Sequence, residues 1–463
     1  MKRILYMLLI FMLVFSSVFA QGSSESATTT EKTIIEAAPG ERHEVLMWSA
    51  VSGTIGNILQ AAADSFNEAQ DKYFINIQYQ GDYTAIYTKL TTTLNQKDLP
   101  DMAIVSTELV GTYSLTEGLL RPLSYYWDEG YETWEKLNGN LKAVWGDKEG
   151  NASCYPYGNS FYGQFVNEDI FKAAGIDPYT ALTSVEGLYK AAKALKDGGY
   201  CEVPVALDSW GGFVWYALAA SGIPFMNNDN GRSDTPTEVL IDTPKVKQAL
   251  YDYFYYFRKM QQEGLMVDYG SSWGDVCLPS FATQKSAVCT GSIAAFQRIE
   301  KAMAEKPFTL GWLPSFAATD VGIPKGYAAS GTGFCIVESG DEKGMTGASE
   351  FIEWTSQLET QVALCTGTGY LPISEEVLNA PAYQVFVNTR FPGALRAFKY
   401  QQEAVVDAQH TNALNPINNA CQSESAKAWS QVMTDFNIDI NAVIDNMDAV
   451  LQDALDMWLL TNT

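Results

Sequence analysis

Histidine is nearly missing from this chain: His43 and His410 are the only two in 463 residues. Imidazole catalysis and histidine-rich metal sites therefore have almost no material to work with. Seven cysteines stand at 154, 201, 277, 289, 335, 365 and 421, and no two are closer than 12 positions. That excludes a CxxC redox pair and a zinc-finger spacing. An odd count leaves at least one thiol unpaired, and the expectation is that they are buried as small apolar side chains. A Cys154–Cys201 bridge stays open as an alternative in an oxidising compartment. Neither Gly-x-Ser-x-Gly nor a phosphate-binding loop occurs. No cofactor, no metal and no catalytic residue is expected.

Positive charge is also scarce. Thirty Lys and Arg face 54 Asp and Glu, giving a formal charge of −24, and only eight of the cations are arginine. A surface of this sign repels nucleic acid and anionic lipid, which excludes both as partners. Any anionic ligand would need its own local cation.

What is present begins at the N-terminus. Lys2 and Arg3 precede the apolar run Ile4 to Phe15, and Val18-Phe19-Ala20 offers small residues for cleavage. The run falls short of the ~20 residues that cross a bilayer and fits a secretory leader, so residues 1–20 are expected to be a cleaved signal peptide. Export to the periplasm follows. Residues 21–43, rich in Ser and Thr, offer little to bury and are expected to be a disordered tether. The remaining length is too great for one core and predicts two or more domains.

Glu44 to Trp48 reads as a strand, and Ile55, Ile58, Leu59, Ala62 and Phe66 recur at helical spacing with Thr54 as the expected cap. Phe74 to Gln80 reads as a second strand, Thr84 to Leu94 as a second helix, and Met102 to Val105 as a buried strand. This β-α-β-α-β order predicts a parallel sheet, whose ligands bind outside the strands' carboxyl ends. Those ends are Trp48-Ser49, Gln80 to Tyr83 and Ser106-Thr107-Glu108, rich in hydroxyls and aromatics with Glu108 as an acid. A second α/β block follows, with helices at Glu168 to Ala174 (stopped by Gly175), Val185 to Leu195 and Val246 to Glu263, and a strand at Val203 to Leu207. The Tyr253, Phe254 and Phe257 stripe is expected in the core. Phe334 to Val337 is a late strand and Ala348 to Leu358 a late helix. Late elements returning to two blocks predict two α/β lobes with a cleft between them.

The segments Asn167-Glu168-Asp169-Ile170-Phe171-Lys172-Ala173-Ala174-Gly175-Ile176-Asp177-Pro178 and Gly369-Tyr370-Leu371-Pro372 resemble the family 1 extracellular solute-binding proteins of ABC importers. Phe66-Asn67-Glu68 and Gly222-Ile223-Pro224-Phe225 add to the likeness. The Gly81-x-Tyr83 turn, Glu108 and Gly393-Ala394-Leu395-Arg396 are closer to the glycerol-3-phosphate-binding branch. The resemblance implies a two-lobed periplasmic-binding-protein fold of type II, each lobe a mostly parallel sheet flanked by helices. One lobe would comprise 44–157 and 329–369, the other 158–328 and 370–463. It implies capture of glycerol 3-phosphate or a related glycerophosphodiester, delivery to the permease subunits of an ABC transporter, and a monomeric receptor.

Residue by residue, it implies Tyr83 touching the ligand's phosphate side or capping the cleft, and Glu108 accepting from glycerol hydroxyls. Ser160 and Ser292 would donate to phosphate oxygens, Gly331 would present its backbone N–H, and Tyr370 its phenol. Arg396 would pair with the phosphate, and Trp210 would wall the cleft. Phe161 stands where that branch has a second serine, and the run before Ser292 is shortened to Cys289-Thr290-Gly291. Fewer phosphate donors and an added aromatic keep a mono- or oligosaccharide ligand open, with Phe161 stacking on a sugar face. A secreted glycoside hydrolase, which needs a second cleft acid beside Glu108, is the distant alternative. A sensor or adhesin on the same fold is another.

Overall fold

The computed structural model describes residues 32–94, 99–209, 213–268, 273–326, 329–405 and 407–462. The expected signal peptide (1–20), residues 21–31 of the expected tether, and Trp210 lie outside the described residues. Within 34–42, Ala37 is buried and its N–H donates to the Tyr73 hydroxyl at 3.3 Å, so the end of the tether segment is packed.

Among the described residues, eleven strands form two sheets. They are β1 (His43–Ser49), β2 (Tyr73–Tyr79), β3 (Met102–Ser106), β4 (Leu120–Arg121), β5 (Tyr155–Gly158), β6 (Tyr162–Asn167), β7 (Val205–Leu207), β8 (Met266–Asp268), β9 (Val288–Ser292), β10 (Leu310–Pro314) and β11 (Thr332–Val337). The first sheet runs β2-β1-β3-β11-β4, with β5 also paired to β11. The second runs β10-β6-β9-β7-β8.

In each sheet the strands joined by helical crossovers are parallel and the returning strands are not. β1 is parallel to both β2 and β3, and β11 comes back antiparallel to β3. β7 is parallel to β8 and β9, whereas β6 is antiparallel to β9 and β10 to β6. Two α/β lobes thus stand as expected. Their sheets are mixed because β11 and β6, each reached directly from a strand of the other sheet, run antiparallel to the strands they pair with.

In the first lobe the helix Gly53–Ala69 buries Leu59, Ala62, Ala63 and Phe66, the one-face spacing read from the sequence. Its N-cap is Ser52 rather than Thr54, and no side chain caps it. Phe66 meets Phe351 edge-on at 5.5 Å, which ties in the late helix Glu342–Thr355. Asp101 fastens the lobe beneath: its buried carboxylate accepts from Leu46 N at 2.9 Å and from Ser339 Oγ at 2.8 Å. Burial outweighs those bonds and pushes its carboxyl up to about 6.

In the second lobe the helix Pro244–Gln262 buries Tyr253, Phe254 and Phe257, and Trp429 packs on Phe257 at 5.0 Å. Each such side chain contributes about 1.5–3 kcal/mol when fully buried. The helix Glu168–Ala173 ends where Gly175 takes φ +70°, the left-handed position that glycine occupies without strain.

All seven cysteines are free thiols. Cys154 lies in the first lobe's core and Cys201 packs against the second lobe's, so the Cys154–Cys201 alternative falls. Among the described residues no helix is long and apolar enough to cross a membrane.

The chain passes from β5 to β6 through Asn159-Ser160-Phe161, and β10 connects back to β11. Isolated bridges Asn159–Leu371 and Phe161–Ala329 tie these crossing segments together. The Asn159 and Gln401 side-chain amides bond each other at 3.0 and 3.2 Å. Phe161 is buried against Trp312 and Tyr400, so the expectation that it stacks on a ligand is overturned: it is core.

Candidate functional site

Three strand ends meet at one cavity of about 290 Å³. After β2, Gly81 turns with φ +100° and Asp82 caps the helix Tyr83–Thr93, its carboxylate accepting from Ala85 N at 2.7 Å. That turn delivers Tyr83 to the cavity. Ser106 at the end of β3 and Glu108 two residues on form the floor, and Ser292 at the end of β9 faces them from the second lobe. Thr84, Leu109, Ser330, Gly331, Tyr370 and Gln422 complete the lining. The site therefore lies outside the carboxyl ends of strands from both sheets, where open α/β sheets place their ligands.

Glu108 is the chemical centre. The Tyr216 hydroxyl of the helix Phe213–Ala220 donates to its carboxylate from the second lobe. Burial pushes the Glu108 carboxyl up to about 7, against hydrogen bonds from Ser106 and Thr107 that pull it down. Burial also raises the Tyr83 phenol to about 12, and the Tyr370 phenol well above its ordinary value. Both tyrosines stay neutral and keep their O–H donors at any physiological pH. Tyr370 is held in place by Gly158, where a Cβ would come within 2.7 Å of its ring.

Five of the residues implied by the resemblance line the cavity: Tyr83, Glu108, Ser292, Gly331 and Tyr370. Three others stand differently. Ser160 is buried behind the wall, 2.6 Å from the Ser292 hydroxyl, and positions that serine instead of facing the cavity. Arg396 is exposed on the helix Pro392–Glu403 with its guanidinium 3.4 Å from the centre of the Tyr179 ring. It is not among the lining residues, because β10, on which its helix packs, places Tyr179 and Glu168 beside Gly311 at the end away from Ser292. Trp210 is outside the described residues. Gly331 lines the cavity, but its N–H is already bonded to Thr107 Oγ1 at 3.1 Å, which takes away the donor expected for a ligand. Its lack of a side chain matters in another way, since a Cβ there would sit 2.6 Å from the Gly158 carbonyl.

Asp82, Ser106, Ser330 and Gln422 also line the cavity, and Tyr216 bonds Glu108, without having been singled out as site residues from the sequence. Asp82 and Ser106 stood in the strand-end loops already singled out. Tyr216 gave no signal, lying in a helix whose eight residues are all buried. Gln422 gave none either, as one polar residue on an amphipathic helix, Asn418–Thr434.

Among the described residues, arginine and lysine are absent from the lining of this cavity. The arrangement offers phenol and serine hydroxyl donors, one amide and one carboxylate with a raised pKa. Such a set satisfies vicinal hydroxyl groups, which both donate and accept.

The family model for bacterial extracellular solute-binding proteins matches residues 61–388. The sn-glycerol-3-phosphate-binding periplasmic protein UgpB of Rhizobium meliloti is 23% identical over 339 residues, covering 72% of this chain and 75% of that protein. Among solved structures, UgpB from Mycobacterium tuberculosis in complex with glycerophosphocholine superposes with a TM-score of 0.70 at 17% identity. It covers 90% of this chain and all of the other. The cyclic alpha-maltosyl-1,6-maltose binding protein from Arthrobacter globiformis gives 0.67 at 19% identity, covering 90% and 99%.

Proposed function

The chain belongs to the bacterial extracellular solute-binding proteins, and from that premise we propose that it is the substrate-binding component of an ABC importer. It is exported, works as a monomer, and captures glycerol 3-phosphate or a related glycerophosphodiester between its lobes for delivery to a membrane permease. The observation that carries the reading is the cavity itself, where Glu108 and Tyr83 of one lobe face Ser292 of the other. A ligand bonded to both walls favours the form in which they are close, so binding shifts the population toward closure. The curated relatives named for glycerol 3-phosphate supply the ligand class.

Catalysis is not part of this proposal. Glycoside hydrolysis needs two carboxyl groups flanking the bond. Of the two acids that line the cavity among the described residues, Asp82 is committed to capping its helix, which leaves Glu108.

A sugar ligand has one specific observation in its favour: among the described residues the lining carries no cation to meet a phosphate. Calorimetry of the protein with glycerol 3-phosphate, glycerophosphocholine and maltose separates the readings. Binding of a phosphate ligand in the micromolar range, about −8 kcal/mol, is the expected result. Heat from maltose alone keeps the receptor and replaces its ligand, and release of monosaccharide would contradict the receptor reading outright.

A further inference from the structure

The two lobes also meet outside the cavity. The helix Val110–Ser114 begins two residues after Glu108 in the first lobe, and the segment 411–415 lies between the second-lobe helices Pro392–Glu403 and Asn418–Thr434. Gly111 brings the two backbones together: a Cβ on it would sit 2.2 Å from Asn415 N and 2.7 Å from Leu414 Cα. The neighbouring Thr112 hydroxyl donates to the Asn415 carbonyl at 2.7 Å. Thr112, Leu414 and Asn415 are all buried.

Gly111 has an ordinary helical backbone, so no left-handed turn explains it. Inside a helix glycine is a worse choice than alanine. The close approach accounts for it, because no side chain fits between the helix and the segment. On its other side the segment is held by the second lobe. Leu414 N–H donates to the Asn230 carbonyl at 3.0 Å, and the Asn230 amide donates to the Ala408 carbonyl at 3.2 Å. Asn230 ends a run of three left-handed residues, Asn228, Asp229 and Asn230. Strain of that kind persists only where the surrounding structure enforces it. The segment is therefore a fixed part of the second lobe, presented to the first.

None of Gly111, Thr112, Leu414 and Asn415 lines the ligand cavity. Contacts across two hinged lobes are made and broken as the lobes close and open. Each stabilises the closed form alone, so it shifts the balance between the two forms without touching the ligand. Backbone against backbone is as close as two elements can come, and one methyl group suffices to block it. Glu108 stands on the same short stretch of chain, so seating this helix also sets how near the acid comes to Tyr216 of the other lobe.

We propose that Gly111 is a closure-determining residue: its missing side chain lets the helix after Glu108 seat on the segment 411–415 of the other lobe, with Thr112 as the clasp. This role rests on reading the cavity as a ligand site that closes by hinge bending. It adds a contact that stabilises the closed form whichever ligand the cavity takes.

Calorimetry and small-angle X-ray scattering test it on the whole protein, with glycerol 3-phosphate, glycerophosphocholine and maltose as probes. In Gly111→Ala the open form gains only a methyl group in solvent, so the unliganded melting temperature should stay within about 2 °C of wild type. The closed form would be overpacked, so whichever probe gives heat should bind about tenfold or more weakly. At a probe concentration that saturates the wild type, scattering should show contraction of the wild type and not of the variant. Thr112→Val keeps the shape, removes the hydroxyl, and should lower affinity about fivefold with the melting temperature unchanged. Unchanged affinity in Gly111→Ala overturns the closure role, and in Thr112→Val it overturns the clasp, while the receptor reading stands. A large fall in the unliganded melting temperature of Gly111→Ala also overturns the closure role, since the contact would then be a permanent part of the core. No heat from any of the three probes with the wild type overturns the receptor reading and the closure role together.

Discussion

The wall contributed by the first sheet draws Tyr83, Ser106 and Glu108 from one stretch of chain, 83–108, whereas the wall facing it draws Ser292, Gln422 and, through its bond to Glu108, Tyr216 from across 216–422. The first is a direct product of β-α-β order, with each residue just past a strand end. The second is assembled from one strand end and two helices that share no local pattern. The first wall also holds the ionisable centre, and the second supplies hydroxyl and amide partners to it. Recognition should therefore depend unequally on the two walls.

The largest effect is expected from removing that centre. Glu108→Ala takes away the acceptor for ligand hydroxyls and leaves the Tyr216 hydroxyl without its partner. Affinity should fall about 100-fold or more, by the cost of losing hydrogen bonds to a charged group. The melting temperature of the unliganded protein should fall far less, because relief from burying that carboxylate offsets the unpaired Tyr216 hydroxyl. Calorimetry and thermal unfolding read the two quantities separately, and comparable losses in both would erase the distinction between the walls.

Next in size is pH. With the Glu108 carboxyl at about 7, the ionised acceptor grows between pH 6 and pH 8, and affinity for a neutral polyol probe should rise about tenfold over that window. Stability without ligand moves the other way. A carboxyl raised in the folded chain holds its proton more tightly there than in the unfolded chain. Its stabilising contribution is complete below about 4.5 and is lost as pH rises through about 7. Asp101 adds a similar loss, complete by about 6, which remains in Glu108→Gln. That variant should show a flat affinity profile, and a slope unchanged from wild type would assign the titration elsewhere.

Ser292→Ala tests the opposite wall. One neutral hydrogen bond to the ligand is lost and Ser160 loses its 2.6 Å partner, so affinity should drop by about fivefold, far less than for Glu108. The smallest effect is expected at Arg396. Its guanidinium lies on Tyr179 outside the cavity, so Arg396→Ala should change ligand affinity by less than about twofold.

The same contrast explains what the sequence revealed. The order β1, helix, β2, helix, β3 was legible because hydrophobic period and strand length agree there, and the loops it pointed to hold Tyr83, Ser106 and Glu108. Caps were less legible: Ser52 and Thr54 are both cap-type residues, and the extended backbone of Ser52 decides between them. Arg396 was misplaced because a helix's phase against its sheet depends on tertiary packing, here Gly393 set against Trp312. Phe161 reads in isolation as a ring free to stack, and only the fold shows that Trp312 and Tyr400 enclose it. Gln422 and Tyr216 acquire their roles by docking elements far apart in sequence, which no local pattern records.

The central claim is that one ligand bridges the two walls at Glu108 and Ser292. A crystal structure of the protein with whichever of glycerol 3-phosphate, glycerophosphocholine or maltose gives binding heat tests it most directly. The account predicts a ligand hydroxyl within hydrogen-bond distance of the Glu108 carboxylate and a second ligand oxygen at the Ser292 hydroxyl. A ligand seated elsewhere, with both of those side chains untouched, would contradict it.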